Sequence, residues 1–470
     1  MTATGIAHAS RPTRFRLTPT GLAVGACLAV ALLSLALPAP VTYDAWGWLQ
    51  WGREVARFDL DTTGGPAWKP LPVLVTTVLS VFGDLAPLVW QVGARATGLL
   101  ALVGAYRIAA RFAGWVAGAL AAAALVLIPD GEARLFRLLA EAHTGPLEAA
   151  LTLWWIELHL EDRTAAAFGA GVALALLRPE AWPFLLVYGV WLWQRRPGSR
   201  RLIVAGAIVV PLLWFGGDWW GSGSPWNGSS EAQVHRDSIA SRIGRAVARV
   251  GALVIVPVWV AAAAGLGTAW RRRERPLLVI AAAGATWAAL VVAMSGVLGY
   301  AALSRFLIPT AVIACVLAGI GVVRAGRAVP AGPSRAFAVA GIVVLTVPFA
   351  WPRVDELGDA VREIRARAAL ERDLDAAIEQ AGGAELVMSC GRVAIDNSGA
   401  ANGARPALAW KLDLPMSRVA RRLDASRGVM FARAGRRDDR ALAGAPGATT
   451  RPLARTEHWA VYAVGCPAST

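Results

Sequence analysis

Apolar stretches separated by short polar segments dominate the chain up to Ala350. The first stretch runs from Leu22 to Ala39, and similar stretches recur along the rest of this region. A bilayer core about 30 Å thick is crossed by a helix of about 17–25 apolar residues, which satisfies its own backbone hydrogen bonds. The pattern therefore predicts a polytopic α-helical membrane protein with about eleven transmembrane helices.

Composition agrees with this pattern. Of the 470 residues, 56% are hydrophobic and 17% are charged, whereas soluble domains carry about 25% charged residues. The net charge of +15 would favour a nucleic-acid partner in a soluble protein. Here, however, many arginines cluster between apolar stretches, as they do in the cytoplasmic loops of membrane proteins. We therefore expect a lipid bilayer, and no nucleic acid, as a partner.

The arginine clusters also set an expected topology. We assign to the cytoplasm the clusters Arg11 to Arg16, Arg107 to Arg111, Arg195 to Arg201, Arg271 to Arg275 and Arg324 to Arg335. Residues 40–86 then form a first outer loop. Within it, Trp68 to Phe82 is too short to span and is predicted as a juxtamembrane helix along the interface. The predicted transmembrane domain covers residues 1–352.

Residues 353–470 change character and are predicted as a small extracytoplasmic α+β domain. Apolar residues at helical spacing, from Val361 to Leu374, precede two strand-like runs, ELVMSC and HWAVYAVGC. The runs end at Cys390 and Cys466. An extracytoplasmic location would allow these two residues to form a disulfide, and the alternative is two free buried thiols.

Candidate chemistry concentrates in the predicted outer loops, whose ionisable residues include Asp44, Glu54, Asp59, Asp61, Lys69, Glu141, His143, Arg178, Glu180, Asp218 and Arg305. The chain has no Walker glycine loop, CxxC pair or HExxH motif, so neither nucleotide hydrolysis nor a structural zinc site is indicated. A sugar transferase on this side of the membrane would need a lipid-borne donor, because nucleotide sugars are scarce there.

Several of these elements, in this order, resemble the N-terminal half of GT-C glycosyltransferases. Asp44 follows the first span, Lys69-Pro70 leads into the interfacial helix that ends in FGD, and the next span ends in AYRIAARFAG. The similarity is to the protein-mannosyltransferase and aminoarabinose-transferase types. The later segments LLRPEAWP, WWGSGSPWNGS and SRFLIP are similar to elements of actinobacterial arabinofuranosyl- and mannosyltransferases.

The resemblance implies an inverting transfer of a sugar from a polyprenyl-phosphate donor to a hydroxyl of a glycan, lipid or protein acceptor, at the extracytoplasmic surface. Asp44 matches the family's catalytic carboxylate, and a base in this position contributes about 100- to 10,000-fold to the rate. Lys69, Arg178 and Arg305 are candidate ligands of the lipid phosphate. Further substrate-binding candidates are Glu141, His143 and Trp48, the last as a stacking platform for a sugar.

One departure from the family pattern concerns a metal. Family members often follow the first Asp with a second acidic residue, and here Ala45 stands in that position. A cation bridging two adjacent carboxylates would lack its second ligand unless Asp59 or Asp61 folds back. The metal ligands are therefore unknown from the sequence, and a divalent cation is the one cofactor to consider.

Each candidate residue also has a simpler interpretation. Asp44 and Lys69 are suited to cap and anchor interfacial helices, and Arg178 and Arg305 to snorkel. An interfacial aromatic belt would account for Trp46, Trp48, Trp51 and Trp68. For the whole chain, the alternatives are a transporter or flippase of envelope precursors and a non-catalytic envelope-assembly protein. Charges at span ends, with Arg95 as the main exception, argue against the transporter. The acidic first outer loop argues against the assembly protein.

Overall fold

The computed structural model describes residues 19–37, 39–126, 135–231, 233, 238–329, 333–396, 403–423, 427–435 and 449–466. Helices make up most of this structure. Their bounds are α1 Pro19–Leu33, α2 Tyr43–Ala56, α3 Pro70–Leu79, α4 Ala86–Ala113, α5 Trp115–Val126, α6 Leu135–Ala140, α7 Gly145–Leu160, α8 Thr164–Leu177, α9 Trp182–Arg195, α10 Arg200–Ser222, α11 Asn227–Glu231, α12 Ile239–Ala252, α13 Val256–Arg271, α14 Arg275–Leu298, α15 Ile308–Gly326, α16 Pro333–Val344, α17 Val347–Gln380, α18 Gly383–Ser389 and α19 Ala404–Lys411.

Several helices have the length and apolar composition that a membrane span needs, while the number of spans stays a prediction. Within the described ranges, four helical runs are long and apolar enough to cross a bilayer: Pro70–Ala113, Pro197–Ser222, Arg275–Leu298 and Ser304–Gly326. Two bent pairs, α12 with α13 and α16 with α17, would raise this number to six. Three shorter apolar helices, Thr20–Ala36, Trp115–Val126 and Thr164–Leu177, accompany them.

The helix predicted along the interface is α3. It begins at Pro70, whose fixed φ and missing N–H suit the first position of a helix. A backbone break at Gly83, with φ 53° and ψ −127°, separates it from α4, and only glycine adopts such a conformation readily. The Thr76 hydroxyl donates to the Trp48 carbonyl oxygen at 2.6 Å and ties α3 to α2. The placement of α3 relative to the bilayer stays a prediction.

Helix α15 lies at the centre of the bundle. Two of its glycines allow close packing, since an added Cβ at Gly319 or Gly321 would collide with the carbonyl oxygens of Ala117 in α5 and Ala261 in α13. The helix has 19 residues, which corresponds to a length of about 28 Å. It therefore separates two polar layers, one near Arg305 and the other near Arg324.

The layer near Arg324 gathers several of the arginine clusters at one end of the bundle. Arg107 and Arg111 each place a nitrogen 3.0 Å from Glu157, and Arg324 pairs with Glu274 at 2.7 Å. Arg324 also approaches the carbonyl oxygen of Phe112, next to Arg111. The cluster Arg11 to Arg16 lies outside the described residues. Which side of the membrane this end faces stays a prediction.

The C-terminal region contains a five-stranded mixed sheet in the order β2-β1-β3-β5-β4, with β1 Arg392–Ile395, β2 Val419–Ala420, β3 Gly428–Arg433, β4 Thr450–Arg455 and β5 Trp459–Val464. β1 runs parallel to β2 and β3, and β5 runs antiparallel to β3 and β4. The run HWAVYAVGC contains β5, as predicted. The predicted boundary at residue 352 falls inside α17, which continues without a break into this region.

The run ELVMSC, predicted as a strand, is helical, and that prediction is wrong. Its first five residues belong to α18 and Cys390 is the C-cap of that helix, so the buried residues Val387 and Cys390 lie three positions apart on one face. A run of six residues is too short to show its period, so apolar content alone suggested a strand. The structure bonds Cys390 to Cys466 as a disulfide, with Cα atoms 5.7 Å apart.

The C-terminal region and segment 40–86 share one hydrophobic core. Trp46, Trp48 and Trp51 of α2 are buried in it, and the Trp46 ring centroid lies 5.9 Å from that of Trp410 in α19. The Arg53 guanidinium covers the Trp410 ring at 4.1 Å. The aromatic-belt interpretation is therefore wrong for the three tryptophans of α2, because they are buried in the protein core. Trp46 packs on Trp410 of the C-terminal region, Trp48 on Trp90 and Trp51 on Trp68.

Candidate active site

Asp44 lies in the first turn of α2, at the polar layer near Arg305. The turn is held in place because the Thr42 hydroxyl accepts a hydrogen bond from the Ala45 N–H at 3.3 Å, and the Thr42 N–H donates to the carbonyl oxygen of Glu141 at 3.1 Å. The Asp44 side chain is 18% exposed. Its carboxylate is thus fixed by backbone contacts and still reachable.

Two side chains lie close to one carboxylate oxygen of Asp44. Arg305 Nη1 and His143 Nε2 are each 3.8 Å from Asp44 Oδ2. His143 Nδ1 accepts a hydrogen bond from the Gly145 N–H at 3.0 Å, and Arg305 Nη1 lies 3.4 Å from His143 Nε2. Burial, together with the charges of Arg305 and Lys69, lowers the pKa of His143 well below its usual value. His143 therefore faces Asp44 as a neutral imidazole.

Arg178 is held by a buried carboxylate. Its Nε lies 2.6 Å from Glu148 Oε2, and a terminal nitrogen donates to the Arg305 carbonyl oxygen at 3.2 Å. Burial alone lowers the pKa of Arg178, but the carboxylates of Glu148 and Glu180 raise it above its ordinary value. The guanidinium therefore stays charged although it is only 2% exposed. It also lies over the Phe306 ring at 4.6 Å.

Lys69 precedes α3 and is buried near these arginines. Burial, followed by the positive charge of Arg178, lowers the pKa of Lys69 to about 7, against the opposing effect of Asp44. Its Nζ lies 5.0 Å from the ring centroid of Trp48. Trp48 itself is 0% exposed, so the prediction that it stacks on a sugar is wrong. The Trp48 ring instead makes a cation–π contact with the Lys69 ammonium group.

A cavity of about 430 Å³ adjoins Asp44 on one side, and we call it the aromatic cavity. The three cations at its wall are accompanied by acidic and aromatic side chains. Its lining includes Asp44, Lys69, Arg178, Arg305, Glu180, Asp218, Trp68, Trp182, Trp214, Phe215, Trp226, Tyr300 and Phe306. Three clustered cations beside aromatic walls suit a ligand with an anionic head and an apolar tail.

A second cavity, of about 560 Å³, adjoins Asp44 on the side of the C-terminal region, and we call it the polar cavity. Asp44 and Arg305 line both cavities. The rest of its lining is mainly charged or polar and comes from segment 40–86, α6, α17 and the start of α19, and it includes Thr42, Tyr43, Arg137, Glu141, His143, Glu363, Arg367, Glu371, Gly403 and Ala404.

Glu141 lies in this second cavity and does not reach the first. Its carboxylate is 3.2 Å from both Arg137 and Arg367, so it links α6 to α17. The aromatic cavity therefore receives three of the predicted site residues, Lys69, Arg178 and Arg305. The polar cavity receives Glu141 and His143. Asp44 lines both cavities.

The surroundings of Asp44 do not fit a divalent cation. In the part of the chain that the structure describes, no three His, Cys, Asp or Glu side chains are arranged to hold a metal ion. Asp61, considered as a second ligand, instead accepts hydrogen bonds from Thr63 at 2.9 Å and from Ser417. The Arg305 guanidinium, whose Nη1 lies 3.8 Å from Asp44 Oδ2, would repel a metal ion.

Two crystal structures of ArnT from Cupriavidus metallidurans are similar to this chain over nearly its whole length. The structure bound to undecaprenyl phosphate has a TM-score of 0.56 at 15% identity and covers 95% of this chain and 98% of ArnT. The apo structure has a TM-score of 0.57 at 16% identity and covers 94% and 97%. No protein-family model and no curated protein matches the sequence.

This chain has the ArnT fold. The fold that the resemblance implied is thereby confirmed. Within this ArnT fold, the residue that sequence reasoning missed is Glu148, which is 0% exposed and neutralises Arg178. Its only signal in the sequence is a single acidic residue inside the apolar run GPLEAALTLWW. Such a residue indicates a buried partner of opposite charge.

Proposed function

We propose that the chain is an integral-membrane glycosyltransferase that moves a sugar from a polyprenyl-phosphate donor to an acceptor hydroxyl. The observation that carries this proposal is the position of Asp44, whose carboxylate lies between a cavity lined by three cations and a second, polar cavity. The ArnT structure with bound undecaprenyl phosphate supports it further, because that ligand combines an anionic head with an apolar tail.

In the proposed reaction, the donor phosphate lies in the aromatic cavity beside Lys69, Arg178 and Arg305. Negative charge grows on the phosphate as the bond from the anomeric carbon to the phosphate oxygen breaks, and preplaced cations stabilise that charge. A phosphate also favours the charged form of Lys69, whose pKa of about 7 allows it to gain a proton at neutral pH.

The acceptor hydroxyl attacks the anomeric carbon from the side opposite to the leaving phosphate, which inverts the configuration. Its oxygen supplies the electron pair of the new glycosidic bond, and its proton passes to the Asp44 carboxylate. His143 and Arg305, each 3.8 Å from Asp44 Oδ2, orient that carboxylate. No step requires a metal.

The proposed location of the reaction is the extracytoplasmic surface. The arginine clusters near Arg324 lie at the other end of α15 from Arg305, and positive clusters favour the cytoplasmic side. On that topology the C-terminal region is extracytoplasmic as well, where its disulfide between Cys390 and Cys466 would be stable.

The test of the proposal is the Asp44→Asn variant. Asparagine has nearly the same size but cannot take up the hydroxyl proton, so we expect normal membrane insertion and abundance with transfer reduced about 100- to 10,000-fold. Asp61→Asn is the matched control, since Asp61 is engaged by Thr63 and Ser417 and should leave transfer unchanged. Full transfer by Asp44→Asn, or a cytosolic location of residue 44 in accessibility labelling, would contradict the proposal.

The natural sugar can be identified in the cell. Cell-envelope glycans and lipids can be analysed by mass spectrometry in a strain that lacks this chain and in the same strain expressing Asp44→Asn. We expect the same sugar to be missing in both.

A further inference from the structure

We propose that the polar cavity is the acceptor site and that its acceptor is a neutral, polyhydroxylated glycan, bound in part by the C-terminal region. This inference deepens the proposed function and rests on it. A base at Asp44 could serve a glycan, a lipid or a protein acceptor equally well, and the inference selects the glycan.

The size and position of the polar cavity suit a substrate. Its volume of about 560 Å³ lies in the range of about 300–1,000 Å³ that is typical of small-molecule sites. It reaches Asp44 from the side that faces α17 and α19, whereas the aromatic cavity reaches Asp44 from the membrane helices. A hydroxyl bound here would approach the anomeric carbon from the side opposite to the phosphate, as inversion requires.

The arginines of the polar cavity are paired within the cavity itself. Arg137, Glu141, Arg367 and Glu363 form a closed ring of four ion pairs. Arg137 lies 3.2 Å from each glutamate, and Arg367 lies 3.2 Å from Glu141 and 2.6 Å from Glu363. Outside the ring, Arg305 faces Asp44, and Glu371 adds one further carboxylate, which accepts a hydrogen bond from the Val41 N–H. The lining therefore has no excess of positive charge.

This pairing favours a neutral acceptor. A phosphorylated or otherwise anionic headgroup would need a cation that is free to pair with it, whereas both arginines of the ring are already paired with its two glutamates. Sugar hydroxyls both donate and accept hydrogen bonds, and the ring offers carboxylate acceptors beside guanidinium donors. Tyr43 adds one aromatic face to the described lining, on which a pyranose or furanose ring could pack.

The same walls disfavour a lipid-linked acceptor. An acyl or prenyl tail needs apolar walls that continue into the bilayer, as in the aromatic cavity with Trp182, Trp214 and Phe215. In the polar cavity, a tail would instead have to pass the charged ring between α6 and α17. Because Glu363, Arg367 and Glu371 all belong to α17, the C-terminal region takes part directly in holding the acceptor.

The experiment uses membranes containing the full chain and two acceptor preparations from a strain that lacks it. These are the water-soluble polysaccharide fraction and the organic-solvent lipid fraction. Radiolabelled polyprenyl-phosphate sugars from the same cells serve as donors. Binding of undecaprenyl phosphate to the purified chain is measured separately. We expect label in the polysaccharide fraction only. Label in the lipid fraction, or in the proteins of the membranes when these are separated by gel electrophoresis, would overturn the inference.

Two variants test whether the acceptor binds in the polar cavity. Ala404→Trp fills it from the α19 side, and we expect transfer to fall at least about tenfold while undecaprenyl phosphate binds as in the unchanged chain. Ala366→Trp, on the exposed face of α17, is the matched control. If Ala404→Trp fails to fold, the double variant Glu363→Gln/Arg367→Gln tests the acceptor site instead. We expect it to raise the KM for the acceptor several-fold and to retain kcat.

The outcomes separate the two proposals. Wild-type transfer by Ala404→Trp, or an unchanged acceptor KM in the double variant, would overturn the acceptor site while leaving the proposed function intact. Failure of the unchanged chain to bind undecaprenyl phosphate would overturn the proposed function, and the inference with it.

Discussion

The aromatic and polar cavities meet at Asp44 but fix their charges in different ways. In the aromatic cavity, Arg178 and its partner Glu148 have side chains only 3% and 0% exposed. In the polar cavity, Arg367 and Glu363 have side chains 36% and 47% exposed. The first pair is isolated from water, while the second is solvated and interchangeable with neighbouring pairs.

This difference in burial determines which ligands each side of Asp44 can accommodate. A buried charge is strongly destabilising unless its partner is fixed beside it, so Arg178 can be retained in the bundle only with Glu148. This makes the cationic end rigid and selective for an anion. Solvated pairs contribute little stability and rearrange easily, so the polar cavity can adapt to acceptors of varied shape.

The largest expected effect comes from breaking the buried pair. Glu148→Ala leaves the Arg178 charge without its partner and should destabilise the protein by about 3–5 kcal/mol. Glu363→Ala, the matched change in the polar cavity, should cost about 0–1 kcal/mol. Thermal unfolding of the purified variants in detergent measures both. Equal shifts in the unfolding midpoint for the two variants would contradict the comparison.

A smaller effect concerns the pH dependence of donor binding. Burial and the nearby arginines lower the pKa of Lys69 to about 7, so Lys69 loses its charge as the pH rises above that value. The second ionisation of a phosphomonoester lies near pH 6, so the phosphate charge is constant between pH 7.5 and 9. Affinity for undecaprenyl phosphate should therefore fall over this interval, by up to about tenfold per pH unit.

Lys69→Met should bind more weakly and lose this pH dependence, because it has no group that titrates there. Lys411→Met is the matched control, since Lys411 pairs with Asp375 and lines neither cavity. A steep pH dependence that persists in Lys69→Met would assign the titration to another group. Binding can be followed by tryptophan fluorescence of the purified chain.

Much of the cationic side could be predicted from the sequence because its residues follow a local rule. Lys69, Arg178 and Arg305 each stand at one end of an apolar segment, and the topology places these ends in one layer. Asp44 follows the first apolar stretch in the same way. The structure brings all four to the aromatic cavity.

On the polar side, Glu141 and His143 were candidates from the sequence, but the part contributed by α17 could not be predicted because its contacts are long-range. Glu371 accepts a hydrogen bond from the Val41 N–H across 330 positions of sequence, and Glu141 meets Arg367 across 226. Nothing in α17 distinguishes these charges from an ordinary solvated helix face. The burial of the α2 tryptophans could not be predicted for the same reason. An interfacial belt and a core shared with a distant part of the chain have the same local sequence pattern.

The smallest expected effect tests whether the polar side also contains a titrating group. Burial raises the pKa of Glu371 from 4.5 to about 7, against the opposing effect of its hydrogen bond from Val41. Because the folded-state pKa exceeds the unfolded value, this carboxyl contributes stability that is fully present below about pH 4.5 and is lost as the pH rises through about 7.

Glu371→Gln resembles the protonated carboxyl and keeps an oxygen that can accept from Val41. The unchanged protein should therefore lose a few degrees of unfolding midpoint between pH 5.5 and 8 that Glu371→Gln retains. Glu363→Gln, in the solvated ring, should follow the unchanged protein. Parallel pH profiles for Glu371→Gln and the unchanged protein would show that Glu371 does not titrate in this range. A difference between them would show that the buried Glu371 carboxyl, which lies between α17 and the start of α2, destabilises the fold once it ionises.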